Sequence, residues 1–350
     1  MGRSTSVSAA HEVDLKPYHT FGVEAKAEAF VSVSSVTEVL AAVDAYGGMP
    51  GLILGGGSNI LPLGYVPGLT LHNQFGGIEV AAEQADWAWW SVGGGVVWHE
   101  LVMASLSAGL GGLENLALIP GSAGAAPIQN IGAYGVELKD VFSRLEALDL
   151  ITGETVVFEA ADCQFGYRDS YFKKEGKGRY FITRVVIKLS VKDHLIRTEY
   201  GAIRDELQRG YSQSYPQPRP QDIARAVISI RSSKLPDWRV LGNAGSFFKN
   251  PVVPIEAAGR IREGYPQAPV YPQSDGTAKL AAGWLIDQCG WRGQRRGQAG
   301  CYEKQALVLV NHGGATGAEI LALGDAVAAS VYERFGVALE REVNVVGQLA

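Results

Sequence analysis

The placement of glycine constrains this chain more than any other feature. There are 44 glycines among 350 residues, and they gather in clusters instead of repeating at a fixed period. Clustered glycines mark backbone that turns tightly or passes close to another surface. The longest such stretch runs Gly111-Gly112-Leu113-Glu114-Asn115-Leu116-Ala117-Leu118-Ile119-Pro120-Gly121-Ser122-Ala123-Gly124. It continues as Ala125-Ala126-Pro127-Ile128-Gln129-Asn130-Ile131-Gly132-Ala133-Tyr134-Gly135. Small side chains, two prolines and a single charge do not build an ordinary helix or strand. Two readings stand: backbone laid against a large flat ligand, or a glycine-rich loop in a core crossover.

A second cluster, Gly55-Gly56-Gly57-Ser58-Asn59, follows an apolar run that reads as a buried strand. Successive backbone N–H groups there can converge on an anion such as a pyrophosphate, with Ser58 and Asn59 adding short polar side chains. A simple tight turn is the bland alternative. The GxGxxG spacing of a Rossmann fingerprint fails, and no Walker lysine follows. Gly93-Gly94-Gly95 precedes a strand turning into a helix at Val96–Leu101.

Composition removes several function classes. Hydrophobic residues at 47% and charged residues at 19% are ordinary for a globular chain of two or three domains. A formal net charge of -5 offers no basic field for a phosphate backbone, so nucleic acid is set aside. No stretch reaches the apolar length of a membrane span, and the expectation is a monomeric cytoplasmic protein without a membrane partner. Gly2 and Ser6 match a short myristoylation pattern, but a polar tail is the better reading of these residues. Cys163, Cys289 and Cys301 are isolated, which favours a reducing compartment and argues against structural zinc. His99 reads as a packing or surface histidine, and no metal site is expected.

The element pattern is α+β. Ser35 with Glu38, and Thr316 with Glu319, form capping-box patterns ahead of amphipathic helices. A third helix is read over 278–289. Strand-like runs occupy 145–150, 154–159 and 184–189, and a last strand is read over 337–346. The polar stretch 209–221 reads as a loop or domain boundary.

The glycine loops, with Leu118-Ile119-Pro120-Gly121 and Gly132-Ala133-Tyr134-Gly135, resemble the vanillyl-alcohol-oxidase (PCMH) type of FAD-binding unit. Further runs narrow the resemblance: Phe165-Gly166-Tyr167-Arg168-Asp169-Ser170, Arg231-Ser232-Ser233-Lys234-Leu235-Pro236 and Gly242-Asn243-Ala244-Gly245-Ser246-Phe247-Phe248-Lys249-Asn250-Pro251. With Ala281–Ile286 and Leu339-Glu340-Arg341-Glu342-Val343, they resemble the UDP-N-acetylenolpyruvoylglucosamine reductase family over nearly the whole chain. The resemblance implies an FAD-binding subdomain over 13–74, joined by the C-terminal strand 337–350. A second subdomain with a tyrosine loop would cover 75–228, and a C-terminal α+β substrate-binding domain 229–336. It also implies non-covalent FAD, NADPH as co-substrate and a UDP-sugar substrate.

Roles then fall on particular residues. Ser246 is the implied proton donor, with Arg168 and Glu342 supporting an enolate. FAD contacts are implied for Gly55, Gly56, Gly57, Ser58, Asn59, Ile119, Pro120, Gly121, Ser122, Gly132, Ala133 and Tyr134. Substrate contacts are implied for Tyr167, Tyr200, Arg231, Lys234, Asn250, Tyr271 and Gln305. Two departures from the family pattern stand out: Ser122 and Ala125-Ala126 where cysteine or serines are common, and the basic run Trp291–Arg296.

Hydride addition to the enolpyruvyl C3 leaves negative charge at C2, delocalised into the carboxylate. A guanidinium such as Arg168 can stabilise that charge. Glu342 contributes if it is protonated or hydrogen-bonded so that it donates. Ser246 then supplies the proton to C2. Read singly, each residue has a plainer role: Ser246 in a glycine turn, Arg168 in a structural ion pair with Asp169, Glu342 on a solvated strand face. Two rival functions are an FAD-dependent sugar or alcohol oxidase of the same fold and a non-catalytic nucleotide-sugar binder.

Overall fold

Alternation and capping account for much of the local structure in the computed structural model, which describes residues 8–210 and 217–349. By internal contacts the chain divides into two units. One comprises Met1–Val13, Ala27–Gly57 and Pro67–Ser233, and the other Asp14–Lys26, Ser58–Val66 and Lys234–Ala350. The tail pattern at Gly2 and Ser6 lies outside the described residues.

The first unit has two cores. In one, the strand Lys26–Val33 turns Ala29, Val31 and Val33 inward against Val39 and Ala42 of the helix Val36–Tyr46. The Ser35 hydroxyl accepts the Glu38 N–H and starts that helix as its sequence predicts. The strand Leu52–Leu54 follows and lies parallel to Gly64–Asn73, with Leu52 opposite Thr70. Gly55 therefore leaves the end of a buried strand.

The other core lies on an antiparallel sheet in the order Thr155–Glu159, Phe142–Asp149, Tyr180–Ser190, Trp87–Gly93, Ile78–Glu83. Its buried face carries Val92, Leu145, Val185 and Ile187. Packed with them are Trp98 and Leu101 of the helix Trp98–Ser107, and Ile223, Val227 and Ile230 of the helix Pro220–Lys234. Each fully buried aliphatic side chain contributes about 1.5–3 kcal/mol, so this sheet is a rigid platform for the loops it carries.

The second unit holds a four-stranded sheet in the order Gly242–Ser246, Val308–Asn311, Ala299–Cys301, Arg295–Arg296. A three-stranded sheet follows the order Val252–Pro254, Thr277–Leu280, Val270–Pro272. The helix Gly317–Phe335 packs Ile320, Leu323, Val327 and Val331 into the core, and its Thr316–Glu319 capping box is formed on both sides. Asn344–Val346 runs parallel to Ile60–Pro62.

Three sequence expectations need correction. The helix read over 278–289 begins only at Ala282; Thr277–Leu280 is a strand, because Ala278 and Leu280 are buried and Lys279 between them pairs with Val252. The strand read over 337–346 is regular only at Asn344–Val346, the preceding residues touching the fold through the bridge Phe248–Arg341. In the stretch 209–221, Arg209 and Gly210 end one helix and Pro220 and Gln221 begin another, while 211–216 lie outside the described residues. Among the described residues no helix is long and apolar enough to cross a membrane.

His19, in the second unit, is buried with its Nε2 against the Val23 carbonyl at 3.1 Å. Burial pushes its pKa down to about 4 from 6.5. The unfolded chain therefore binds a proton between these values that the fold refuses, so stability is full above pH 6.5 and falls as pH drops toward 4. The limit of the loss is on the order of 3 kcal/mol. His19→Gln should flatten the slope of denaturation midpoint against pH across that window, measured by urea unfolding at several pH values.

Candidate functional site

The two glycine loops meet inside the first unit. A Cβ on Gly55 would sit 2.4 Å from Ser122 Oγ, and one on Gly56 would sit 2.9 Å from the Gly121 Cα. At Gly56 backbone packs on backbone, and at Gly55 the backbone packs on the Ser122 and Ala125 side chains, so neither position has room for a side chain. Ile119 and Pro120 lead into the contact, and Ala123–Gln129 continues as a 3-10 helix held by Ala123 N–H to the Val96 carbonyl and Gly124 N–H to the Gly94 carbonyl, both 2.8 Å. Gly132-Ala133 and Val136-Glu137 then form a short hairpin with Tyr134 at its turn. The long stretch from Gly111 is thus an ordered loop of short helical turns.

Arg168 stands at the tip of a tight turn closed by Gly166 N–H to the Asp169 carbonyl at 3.0 Å, with a left-handed φ of 53°. A left-handed arginine costs conformational energy and occurs where the surroundings enforce it. Its Nη2 donates to the Gly132 carbonyl at 2.7 Å, and the guanidinium lies 5.8 Å from the Tyr167 ring centroid. Asp169 pairs with Lys174. Arg231, from the helix Pro220–Lys234, has a buried Nε without a hydrogen-bond partner. Burial lowers its pKa, Tyr134 opposes that, and the charge of Arg168 adds to the lowering. Two guanidiniums close enough to disfavour each other form a locus for an anion.

The tyrosine segment belongs to the same unit. The Tyr200 ring meets the Tyr134 ring edge-on, centroids 5.3 Å apart, and Tyr200 is 54% exposed.

The second unit carries the remaining residues. Ser246 ends a strand that bulges at Ala244-Gly245, where Asn243 Oδ1 accepts the Gly245 N–H at 3.0 Å and Gly245 takes a φ of 69°. That bulge sets the direction of the Ser246 side chain. Beyond it, Phe247 N–H donates to the Leu307 carbonyl on one side, and Glu342 N–H donates to the Phe247 carbonyl on the other, both 2.9 Å. Glu342 is thereby held by a backbone hydrogen bond to Phe247, the residue after Ser246. Asn59 Nδ2 donates to the Glu342 carbonyl at 3.2 Å, and the Asn59 carbonyl accepts from the Asn344 backbone at 3.0 Å. Asn250 Oδ1 accepts the Ala282 N–H at 2.9 Å, and Gln305 Oε1 lies against Gly283 in the same helical turn. Tyr271 is 54% exposed on its strand, opposite Lys279. Lys234 is an exposed residue, and Ser58 is part of this unit.

Sequence reasoning missed the asparagines that hold these turns. Buried Asn130 adopts a φ of 43°, donates to the Gly166 carbonyl at 3.0 Å and to Glu137 at 2.9 Å, and accepts the Lys139 N–H. It therefore supports the turn that carries Arg168. The available signal was a lone amide in an apolar glycine-rich run, the place where a side chain must satisfy irregular backbone. His99, read as a packing residue, has Nδ1 against the Leu118 N–H at 3.0 Å, and burial lowers its pKa toward the neutral form.

FAD fits what these loops leave over. Ser122 Oγ, like Arg231 Nε, is buried without a hydrogen-bond partner. A buried polar atom left unmet costs about 1–3 kcal/mol, and a polar ligand relieves it.

Comparison with known proteins identifies two matching domains. Residues 27–159 match the model of an FAD binding domain, and 236–346 match that of the UDP-N-acetylenolpyruvoylglucosamine reductase C-terminal domain. A UDP-N-acetylenolpyruvoylglucosamine reductase from Pseudomonas fluorescens is 49% identical over 336 residues, 95% of this chain and 98% of the relative. One from Chromobacterium violaceum is 49% identical over 334 residues, 95% of this chain and 97% of the relative. The crystal structure of the Thermus caldophilus reductase matches with a TM-score of 0.66 and 27% identity, covering 97% of this chain and all of that one. With its mixed helices and sheets, its FAD-binding domain and its reductase C-terminal domain, the chain belongs to the UDP-N-acetylenolpyruvoylglucosamine reductase family of FAD-binding oxidoreductases.

Proposed function

We propose that this protein reduces the enolpyruvyl ether of UDP-N-acetylglucosamine enolpyruvate with NADPH, yielding UDP-N-acetylmuramate for peptidoglycan precursor synthesis. It would do so as a cytoplasmic monomer. The observation that carries the reading is the backbone hydrogen bond that holds Glu342 to Phe247, the residue after Ser246. Membership of the reductase family and the Arg168 turn beside Gly132 support it. The three-part division at 13–74 with 337–350, 75–228 and 229–336 belongs to the same reading.

Gly55, Gly56, Gly57, Ser58, Asn59, Ile119–Ser122 and Gly132–Tyr134 would hold FAD, with the unpartnered Ser122 hydroxyl as a direct donor. Bound FAD supplies a two-electron carrier that accepts hydride from NADPH and delivers it to the enolpyruvyl C3. Arg168 then balances the charge developing on C2 and its carboxylate, a role suited to a guanidinium held in place before the reaction. Glu342 supports the same enolate as a hydrogen-bond donor, which requires its carboxyl to hold a proton in that step. Ser246 Oγ gives its proton to C2. Tyr167, Tyr200, Arg231, Lys234, Asn250, Tyr271 and Gln305 orient the sugar nucleotide.

The test of the whole reading is NADPH oxidation followed by its absorbance with and without the enolpyruvyl sugar nucleotide. Consumption that ignores that substrate, or a preparation without a flavin spectrum, overturns it. Ser246→Ala should leave flavin reduction by NADPH unchanged and slow reoxidation by substrate about 10²–10⁴-fold in stopped-flow absorbance. Equal loss in both half-reactions would make Ser246 structural. Gly56→Ala should weaken FAD binding about ten- to a hundred-fold, the size of a small overpacking strain, read by recovery of free flavin fluorescence.

A further inference from the structure

Residues 191–200 form no regular helix or strand. Backbone of this kind normally wanders unless its carbonyls are met by side chains. Here three successive carbonyls are met. Asn115 Nδ2 donates to the Arg197 carbonyl at 3.2 Å, Arg204 Nε to the Thr198 carbonyl at 2.9 Å, and Arg204 Nη2 to the Glu199 carbonyl at 3.3 Å. The chain then enters the helix Gly201–Gly210, whose Ile203 is fully buried.

Asn115 makes a second contact with the same nitrogen, to the Tyr134 carbonyl at 3.0 Å. One buried amide, 1% exposed, therefore ties together the two stretches that bear Tyr134 and Tyr200, whose rings touch. Its own position is well defined. Asn115 lies in the 3-10 turn Glu114–Leu116, and buried Glu114 accepts the Gly112 N–H at 2.6 Å. Next to it, Gly111 and Ser190 exchange two backbone bonds of 3.0 Å, and His194 Nδ1 lies 2.7 Å from Ser190 Oγ. The irregular segment is thus held at its start by Gly111 and at its end by Asn115 and Arg204.

We infer that Asn115 and Arg204 form a positioning clamp that sets where Tyr200 stands for the sugar nucleotide. Neither side chain touches the reacting atoms in this account. The inference rests on the reading of Tyr200 as a substrate contact, and the clamp acts through backbone carbonyls alone. Loss of the clamp leaves the FAD chemistry intact but lets the tyrosine sample positions that do not meet substrate.

The experiment compares Asn115→Leu, Arg204→Ala and Tyr200→Ala as holoenzymes. KM for the enolpyruvyl sugar nucleotide, kcat, the rate of flavin reduction by NADPH and hydrogen exchange in the peptide spanning 191–203 are measured. Expected for both clamp variants is a KM about ten-fold higher, the equivalent of one lost buried contact, with kcat and flavin reduction little changed and faster exchange in that peptide. Tyr200→Ala should raise KM without speeding exchange over 191–197. If Tyr200→Ala raises KM but the clamp variants do not, the clamp is refuted and the reading of Tyr200 survives. An unchanged KM in Tyr200→Ala overturns both. Arg204 is exposed, so its variant decides the matter even if Asn115→Leu does not fold.

Discussion

Glycine backbone packed directly on a neighbouring loop is the constraint from which the first unit's site is built. Between Gly55-Gly56 and Gly121-Ser122 there is no space for a Cβ, and the nearest approaches would be 2.4 and 2.9 Å. Contact at that distance lets two loops from distant parts of the sequence share one surface. Leu54, buried at the end of its strand, delivers one loop, and Trp98 and Ala123, both fully buried, anchor the other. Rigid strands and a dense core thus carry an irregular segment that could not hold itself.

Irregular backbone carries polar groups that regular ladders would have satisfied, and asparagine amides meet that need at three places. Asn130 holds the turn of Arg168, Asn243 holds the bulge before Ser246, and Asn59 holds the carbonyl of Glu342. Each asparagine supplies a donor and an acceptor on a short, stiff stem, which is what a single tight turn needs. Residues expected to do chemistry are held by neighbours with no expected role in it. Asn59 illustrates the overlap: read as a phosphate contact, it is also tied through its amide to the Glu342 carbonyl.

The helix N-termini at Ser35 and Thr316 were legible because a capping box is a local hydrogen-bond pattern of four residues. The strands of the central sheet were legible because burial on one face imposes a period of two. The start of the helix at Ala282 was not, since Ala278 and Leu280 fit a helical face as well as a strand face. Pairing with Val252–Pro254 and Val270–Pro272 settled it. Of the expected site, the motif residues were legible as motifs, while the supporting roles of Asn130 and Asn243 were not. A lone amide has no periodicity to reveal it.

What the sequence determined by itself is the α+β character, the glycine loops and the family resemblance, because these rest on local pattern and on long motifs in order. Only the tertiary structure decided why the glycines are glycines. They answer first to the neighbouring loop, and an unpartnered Ser122 hydroxyl marks where a ligand would be met. Tertiary structure also decided that Arg168 reaches the Gly132 carbonyl, 36 residues away in the chain. The physical reason is the same in both cases. Which atom lies across a gap depends on chain segments tens to hundreds of residues apart, and no local pattern encodes that distance.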